Sequence, residues 1–169
     1  PPLWIRRQRQ MCIRDRYRAY QRSRDRDVAI KVLHPKYAHD PRAVKRFFRE
    51  AQSASRLIHP NIVTVFDFGR SRQSHLYMVM ELVEGWTLGD LIYYRAPLDV
   101  GLATSIALQV CEALSHAHGH HTVHRDLKPD NVQLTKAGDR VWAKVLDFGI
   151  ARMTRQTGSA IQANQSTIE

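Results

Sequence analysis

The length, composition and charge of the chain exclude several classes of protein. Its 169 residues, 43% hydrophobic and 25% charged, predict one soluble globular domain or part of a larger one. No run reaches the roughly 18 apolar residues of a membrane-spanning helix, and the start lacks a secretory signal. We therefore expect a cytoplasmic domain, with any membrane anchor of the parent protein lying elsewhere.

The net charge of +10 is concentrated at one end of the chain. Residues 1–26 carry +7 of it, through nine arginines and two aspartates. The rest is ordinary for an enzyme, so we expect no nucleic-acid partner. An Arg-rich arm that binds polyanions is kept as an alternative.

The first predicted element in chain order is a strand over residues 28–33, because residues 1–26 show neither helical nor strand periodicity. Ala29 and Lys31 fall on one face of this strand, and Val28 and Ile30 fall on the other.

A helix is predicted to begin at Asp40, a suitable N-cap that Pro41 follows. Glu50 falls on the apolar side of this helix, where an unpaired carboxylate would be costly, so we expect Lys31 to be its partner. Apolar residues recur at helical spacing along it, namely Val44, Phe47, Phe48, Ala51 and Ala54.

The next segments predict a hairpin and a long helix. Apolar runs at 62–68 and 76–83 flank a polar turn, which is typical of two antiparallel strands. Residues 101–118 have helical periodicity, and we expect Cys111 in this apolar stretch to be buried.

The last predicted elements form a second hairpin, with strands at 132–134 and 142–146 around a turn at 136–139. The polar tail at 152–169 is expected to be disordered. Strands with one helix thus precede a mainly helical stretch, which predicts an α+β, two-lobed fold.

Two motifs in the second half carry the chemistry. Residues 124–131 have the sequence His-Arg-Asp-Leu-Lys-Pro-Asp-Asn, and residues 147–149 read Asp-Phe-Gly. With Lys31 and Glu50 ahead of them in the same order, they closely resemble the protein kinase family. The resemblance runs from about Tyr17 to Arg152, and within the family the bacterial Ser/Thr kinases are the most similar.

The resemblance implies transfer of the γ-phosphoryl group of ATP to Ser or Thr hydroxyls of protein substrates. Lys31 would hold the α- and β-phosphates, and Glu50 would orient it. Asp126 would accept the proton of the substrate hydroxyl. Lys128 would contact the γ-phosphate and is typical of the Ser/Thr-directed branch.

The resemblance also implies a metal site and an adenine pocket. Asn131 and Asp147 would bind Mg²⁺, which prefers oxygen ligands. The residues implied to surround the adenine are Ala29, Met80 as gatekeeper, Glu81, Val83 and Leu134. A stack of side chains linking the lobes is implied at Ala54, Leu76, His124 and Phe148.

Histidines crowd the end of the long helix. His121 stands where relatives often have glycine, so we expect a helix end that needs a positive φ there. A zinc site is an alternative interpretation of the group, although no cysteine or acidic ligand completes it. The group consists of His116, His118, His120, His121 and His124.

The two ends of the chain depart from the family. No glycine precedes Tyr17, so we interpret residues 1–16 as a non-family leader in place of the first strand and Gly-rich loop. Residues 10–16 have the sequence that one frame of a common sequencing-transposon end encodes, which suggests an artefact; a genuine Arg-rich extension is the alternative. We expect residues 17–83 to form a partial N-lobe with the hinge, and residues 84–169 a partial C-lobe that ends inside the activation segment.

These departures bear on activity. A kinase fold that is incomplete in both lobes is expected to be weakly active or inactive by itself. A pseudokinase or nucleotide-binding scaffold is therefore an alternative, although Lys31, Asp126 and Asp147 are all present.

Overall fold

The structure is a computed structural model that describes the backbone of residues 4–6 and residues 15–148, with side chains from Arg16 onward. Gly149 and the tail for which we expect disorder lie outside the described residues.

An antiparallel sheet of five strands in the order β1-β2-β3-β5-β4 forms the first part of the fold. The strands are β1 Trp4–Arg6, β2 Asp15–Gln21, β3 Arg26–Val32, β4 Val65–Arg70 and β5 Leu76–Glu81. The lack of periodicity in residues 1–26 did not predict a strand there, yet β2 forms within this range. Cross-strand pairing with β3, from Asp15 opposite Val32 to Gln21 opposite Arg26, stabilises β2 instead.

The two predicted faces of β3 are confirmed. Val28 and Ile30 are buried with Ala19 and Val79 on one side of the sheet. On the other side Ala29 packs against the cluster that the next helix covers.

That helix, α1, spans Pro41–Ser55 and begins where the sequence predicts. The Asp40 carboxylate accepts a hydrogen bond from the Arg42 backbone amide at 2.9 Å, which caps the helix. Phe47 and Ala51 are buried against the sheet.

The segment between α1 and β4 connects the two parts of the molecule. The first hairpin strand begins at Val65, three residues later than predicted. Just before it, the Val63 amide donates to the Val145 carbonyl at 3.0 Å, whereas the Thr64 carbonyl still accepts from the Glu81 amide of β5 at 2.9 Å.

The second part combines a small sheet with two helices. Its elements are β6 Trp86–Thr87, α2 Leu88–Arg95, α3 Val100–Gly119, β7 Val132–Ala137 and β8 Arg140–Val145. β7 lies between β6 and β8. The sequence analysis missed β6 and α2, although Thr87 and Asp90 form a capping box that marks the start of a helix.

The turn of the second hairpin is tighter than predicted. Ala137 pairs with Arg140, so only Gly138 and Asp139 form the turn, whereas Lys136 continues β7. Gly138 has a φ of +61°, which a glycine adopts without strain.

Helix α3 matches its predicted range to within one residue at each end. Ile106, Ala113 and Ala117 are buried. The expectation that Cys111 is buried is wrong: its side chain is exposed, because it lies on the opposite side of the helix from that stripe. None of the helices in residues 15–148 is long and apolar enough to cross a membrane.

Candidate active site

The loop at residues 124–131 is held in shape by hydrogen bonds to its own backbone. The Asn131 side-chain amide donates to the Asp126 carbonyl at 2.7 Å and to Asp126 Oδ2 at 3.3 Å. The Nδ1 atom of His124 accepts from the Asp126 amide at 3.3 Å. Its ring can therefore donate through Nε2 to the Leu146 carbonyl at 2.7 Å, which connects this loop to the residue just before Asp147.

The Asp126 carboxylate is partly open to solvent. About 42% of its side chain is exposed, and Lys128 Nζ lies 3.3 Å from Oδ2. The preceding Arg125 has a φ of +65°, an uncommon conformation for a residue with a side chain. Strained backbone of this kind occurs often at active sites, where the surrounding structure maintains it.

Asp147 brings together the two halves of the site. Lys31 Nζ, on β3, lies 2.8 Å from Asp147 Oδ1, and both side chains are buried. Arg16, on β2, donates to the other carboxylate oxygen at 2.5 Å. Asp147 also has a positive φ of +58°. The sequence analysis predicted Lys31 and Asp147 but missed Arg16, because only the pairing of β2 with β3 places Arg16 here.

Glu50 lies half-buried on α1, three residues beyond the buried Phe47. Its predicted pairing with Lys31 remains a prediction.

The residues predicted to surround adenine fall into two packed groups. Ala29 pairs with Met80 across β3 and β5, and Val83 packs against the same cluster. Leu134, on β7, is buried in the other cluster with Ile106. The Glu81 carboxylate accepts from Lys144 Nζ at 2.9 Å, which fixes the chain at the end of β5.

The stack implied between the lobes is present in part. The rings of His124 and Phe148 lie 4.8 Å apart, edge to face, and Phe148 shares a cluster with Ala54. Leu76 belongs to a different cluster, whereas Val65 packs against the cluster of Phe148.

The donor atoms suit a magnesium ion that a nucleotide helps to bind. No group of three His, Cys, Asp or Glu side chains in the described part of the chain could hold a metal by itself. The Asn131 side chain uses its amide nitrogen for Asp126, which leaves its Oδ1 atom as an acceptor. The Leu146 amide donates to the Asn131 backbone carbonyl at 2.8 Å. Two protein oxygen ligands, with phosphate oxygens and water, would provide the oxygen coordination that Mg²⁺ prefers.

The histidine group forms a stack. The rings of His116 and His120 lie 4.4 Å apart, and the ring of His59 lies 5.1 Å from that of His116. Among residues 15–148 these side chains form no metal cluster of three ligands.

Comparison with known proteins identifies the class of protein that this fold and site define. The sequence matches the protein kinase domain over residues 15–169, so the chain belongs to the protein kinase family, as its motifs predict. The match begins with β2, two residues before Tyr17.

Several similar curated proteins are bacterial serine/threonine-protein kinases. The serine/threonine-protein kinase PrkC of Bacillus subtilis is 47% identical over 133 residues, which cover 79% of this chain and 20% of PrkC. PknB of Mycolicibacterium smegmatis is 41% identical over 146 residues, 85% of this chain and 23% of PknB. The chain thus spans about a fifth to a quarter of the length of the curated relatives it matches.

The fold is that of a kinase domain. The crystal structure of the PknI kinase domain of Mycobacterium tuberculosis superposes with a TM-score of 0.77 at 33% identity, covering 89% of this chain and 60% of that one. The predicted α+β protein kinase fold is therefore confirmed.

Proposed function

We propose that the chain is the catalytic region of a serine/threonine-protein kinase, which transfers the γ-phosphoryl group of MgATP to Ser or Thr hydroxyls of proteins. The observation that carries the proposal is the contact of Lys31 with Asp147 at 2.8 Å. Through Leu146 and His124, Asp147 is connected to the loop of Asp126. The residues implied to hold phosphate, metal and substrate thereby converge.

The reaction assigns the described side chains distinct roles. Asp126 orients the substrate hydroxyl and takes up its proton as the oxygen attacks the γ-phosphorus, and the bond to the β-phosphate oxygen breaks. Lys128, which lies beside the Asp126 carboxylate, is placed to neutralise charge on the transferred group. Lys31 holds the α- and β-phosphates. Asn131 and Asp147 hold Mg²⁺, which supplies charge neutralisation at the phosphates.

The adenine lies between the two apolar groups in this proposal. Ala29 covers one face of the ring and Leu134 the other, while Met80 closes the back of the pocket. The Glu81 carbonyl and the Val83 amide face the edge of the ring. The Lys144 contact with Glu81 supports this, because it restrains the segment that carries those backbone groups.

We assign the N-lobe and hinge to residues 17–83 and the C-lobe to residues 84–169, with the domain in the cytoplasm. Residues 1–16 are assigned as a leader, except that the kinase match and β2 both begin at Asp15, so Asp15 and Arg16 belong with the N-lobe. The five-stranded sheet with α1 and the three-stranded sheet with α2 and α3 support this division. The coding DNA tests the leader: a nucleotide sequence unlike the transposon end across residues 10–16 would exclude an artefact.

The proposed activity is tested by phosphoryl transfer from γ-labelled ATP to a Ser- and Thr-rich protein such as casein. We expect slow, Mg²⁺-dependent transfer by the chain, reduced roughly 100-fold or more by Asp126→Asn. Asp139→Asn, in the exposed turn of the second hairpin, is the matched control and should leave the rate unchanged. Transfer that survives Asp126→Asn, or label found on tyrosine, would contradict the proposal.

A further inference from the structure

Arg16 and Lys31 form a pair of cations on one face of the sheet. They lie directly opposite each other in the pairing of β2 with β3, so their side chains point to the same side. Both reach Asp147, Arg16 through Oδ2 at 2.5 Å and Lys31 through Oδ1 at 2.8 Å. The guanidinium of Arg16 therefore lies beside the ammonium that is proposed to hold the nucleotide phosphates.

A metal ion bound to Asp147 would change the electrostatic surroundings of Arg16 and Lys31. The Asp147 side chain is only 7% exposed, and its carboxylate is in contact with both Arg16 and Lys31. A divalent cation on Asp147 repels the guanidinium that occupies one of its oxygens. Arg16, whose side chain is 35% exposed, then needs another anion, since a partly buried charge without a partner is costly.

The anion that arrives with the metal is a phosphate. A planar guanidinium with several donors matches phosphate oxygens better than a single ammonium does. Residues 1–14 contain no glycine, whereas the glycine-rich loop of protein kinases covers the phosphates with its backbone amides. An arginine side chain can donate in their place.

We propose that Arg16 is a phosphate-binding residue of the nucleotide site, which exchanges the Asp147 carboxylate for a nucleotide phosphate when the metal–nucleotide complex enters. This inference rests on the proposed kinase function and deepens it. Arg16 lies within the range that matches the kinase domain and within β2, the strand paired with β3.

The test compares ligands with and without phosphates. The dissociation constants of the 169-residue chain for Mg²⁺–AMP-PNP and for adenosine are measured by isothermal titration calorimetry. Arg16→Ala should weaken Mg²⁺–AMP-PNP binding about tenfold or more, from the loss of a charge-assisted hydrogen bond, and leave adenosine binding unchanged. Arg16→Lys keeps the charge without the planar fork. Its dissociation constant for Mg²⁺–AMP-PNP should lie between those of the unaltered chain and Arg16→Ala.

The matched control is Arg18→Ala, on the same strand, where the side chain pairs with Asp27 and Glu84 at the surface. It should change neither constant. Equal effects of Arg16→Ala and Arg18→Ala, or tighter Mg²⁺–AMP-PNP binding by Arg16→Ala, would overturn the inference, the latter by showing that Arg16 only obstructs the metal site. Absence of binding of both ligands to the unaltered chain would overturn the proposed function as well.

Discussion

The backbone at His121 adopts a φ of +55° at the end of α3. The Thr122 amide bonds to the Ala117 carbonyl and the His121 amide to the His118 carbonyl, both at 2.9 Å. This is the Schellman arrangement, which normally has glycine at the position of His121. The departure from glycine and the need for a positive φ could both be predicted from sequence.

Replacing His121 by glycine should therefore stabilise the protein. We expect His121→Gly to raise the free energy of unfolding by about 0.5–1 kcal/mol, since relief of the left-handed strain exceeds the added entropy of the unfolded chain. His118→Gly, inside the helix, should lower it by about 1 kcal/mol. Urea denaturation measures both, and a loss of stability in His121→Gly would contradict the explanation.

His116 should make stability depend on pH. Burial, and then the charges of His120 and His59, lower its pKa below the ordinary value. Its Nε2 atom is buried without a hydrogen-bond partner among the described residues. In the unfolded chain His116 therefore binds a proton more readily than in the folded protein. The contribution of neutral His116 to folding stability is complete above about pH 6.5 and is lost as the pH falls from there to the lowered pKa.

The measurement is the thermal midpoint at pH 7.5 and at pH 5.5. The drop between the two should be smaller in His116→Gln than in the unaltered chain. His118→Gln, exposed on the same helix, should keep the full drop. An equal drop in all three proteins would exclude His116 as the cause.

At the scale of elements, Gly85 controls the join between β6 and β7. It has a φ of +142°, and a Cβ atom there would lie 1.9 Å from the Leu134 carbonyl oxygen. Only glycine tolerates so close an approach of two backbones. The residue next to it, Trp86, pairs with Leu134, so a displacement would reach the proposed adenine pocket.

We expect Gly85→Ala to destabilise the protein by about 2–4 kcal/mol, from backbone strain and the clash with Leu134. Gly119→Ala is the control, since a Cβ there meets no atom within 4 Å, and it should be neutral or stabilising. Chemical denaturation compares them. A Gly85→Ala protein as stable as the unaltered chain would contradict the explanation, because it would show that β6 can move away from β7 at no cost in stability.

The elements themselves were predictable to different degrees. α1 and α3 have strong apolar periodicity and clear N-caps, so the predictions place the start of α1 and both ends of α3 within one residue. β2 carries arginines on an irregular pattern, and its formation depends on β3. β6 is too short to have a pattern of its own. The strand was predicted to begin at residue 62, but the backbone of Ile62 and Val63 pairs with Val145 of β8, a contact that lies far away in sequence.

At the scale of the whole molecule, Asn61 links the two parts of the fold. It is 2% exposed, and its side-chain amide donates to the Ala143 carbonyl at 2.8 Å and to Gln109 Oε1 at 2.9 Å. Gln109 Oε1 also accepts from the Ala143 amide at 2.9 Å. One side chain thus connects the segment before β4 to both β8 and α3.

Asn61→Ala should lower the free energy of unfolding by about 2–3 kcal/mol, because the Ala143 carbonyl loses a buried partner and the network loses two bonds. Gln52→Ala, exposed on α1, is the control and should change it by less than about 0.5 kcal/mol. Equal stabilities of the two variants in urea would contradict the role given to Asn61.

The candidate site was predictable where its motifs are contiguous and unpredictable where it depends on tertiary contacts. Residues 124–131 and Asp147 could be identified from sequence, and the structure connects them through Leu146. Arg16 has no motif, since its position depends on the register between β2 and β3. The set of side chains that packs around Phe148 likewise depends on how the lobes pack.

The aromatic side chains around β6 give the protein an optical property. Trp86 is 56% exposed, its ring lies 5.7 Å from that of Tyr94, and its backbone pairs with Leu134. The other tryptophan with a described side chain, Trp142, lies beside Arg140 on β8. Indole emission depends on the polarity and the quenchers around the ring, so a ligand that settles on Leu134 would alter the fluorescence of Trp86 without any added dye.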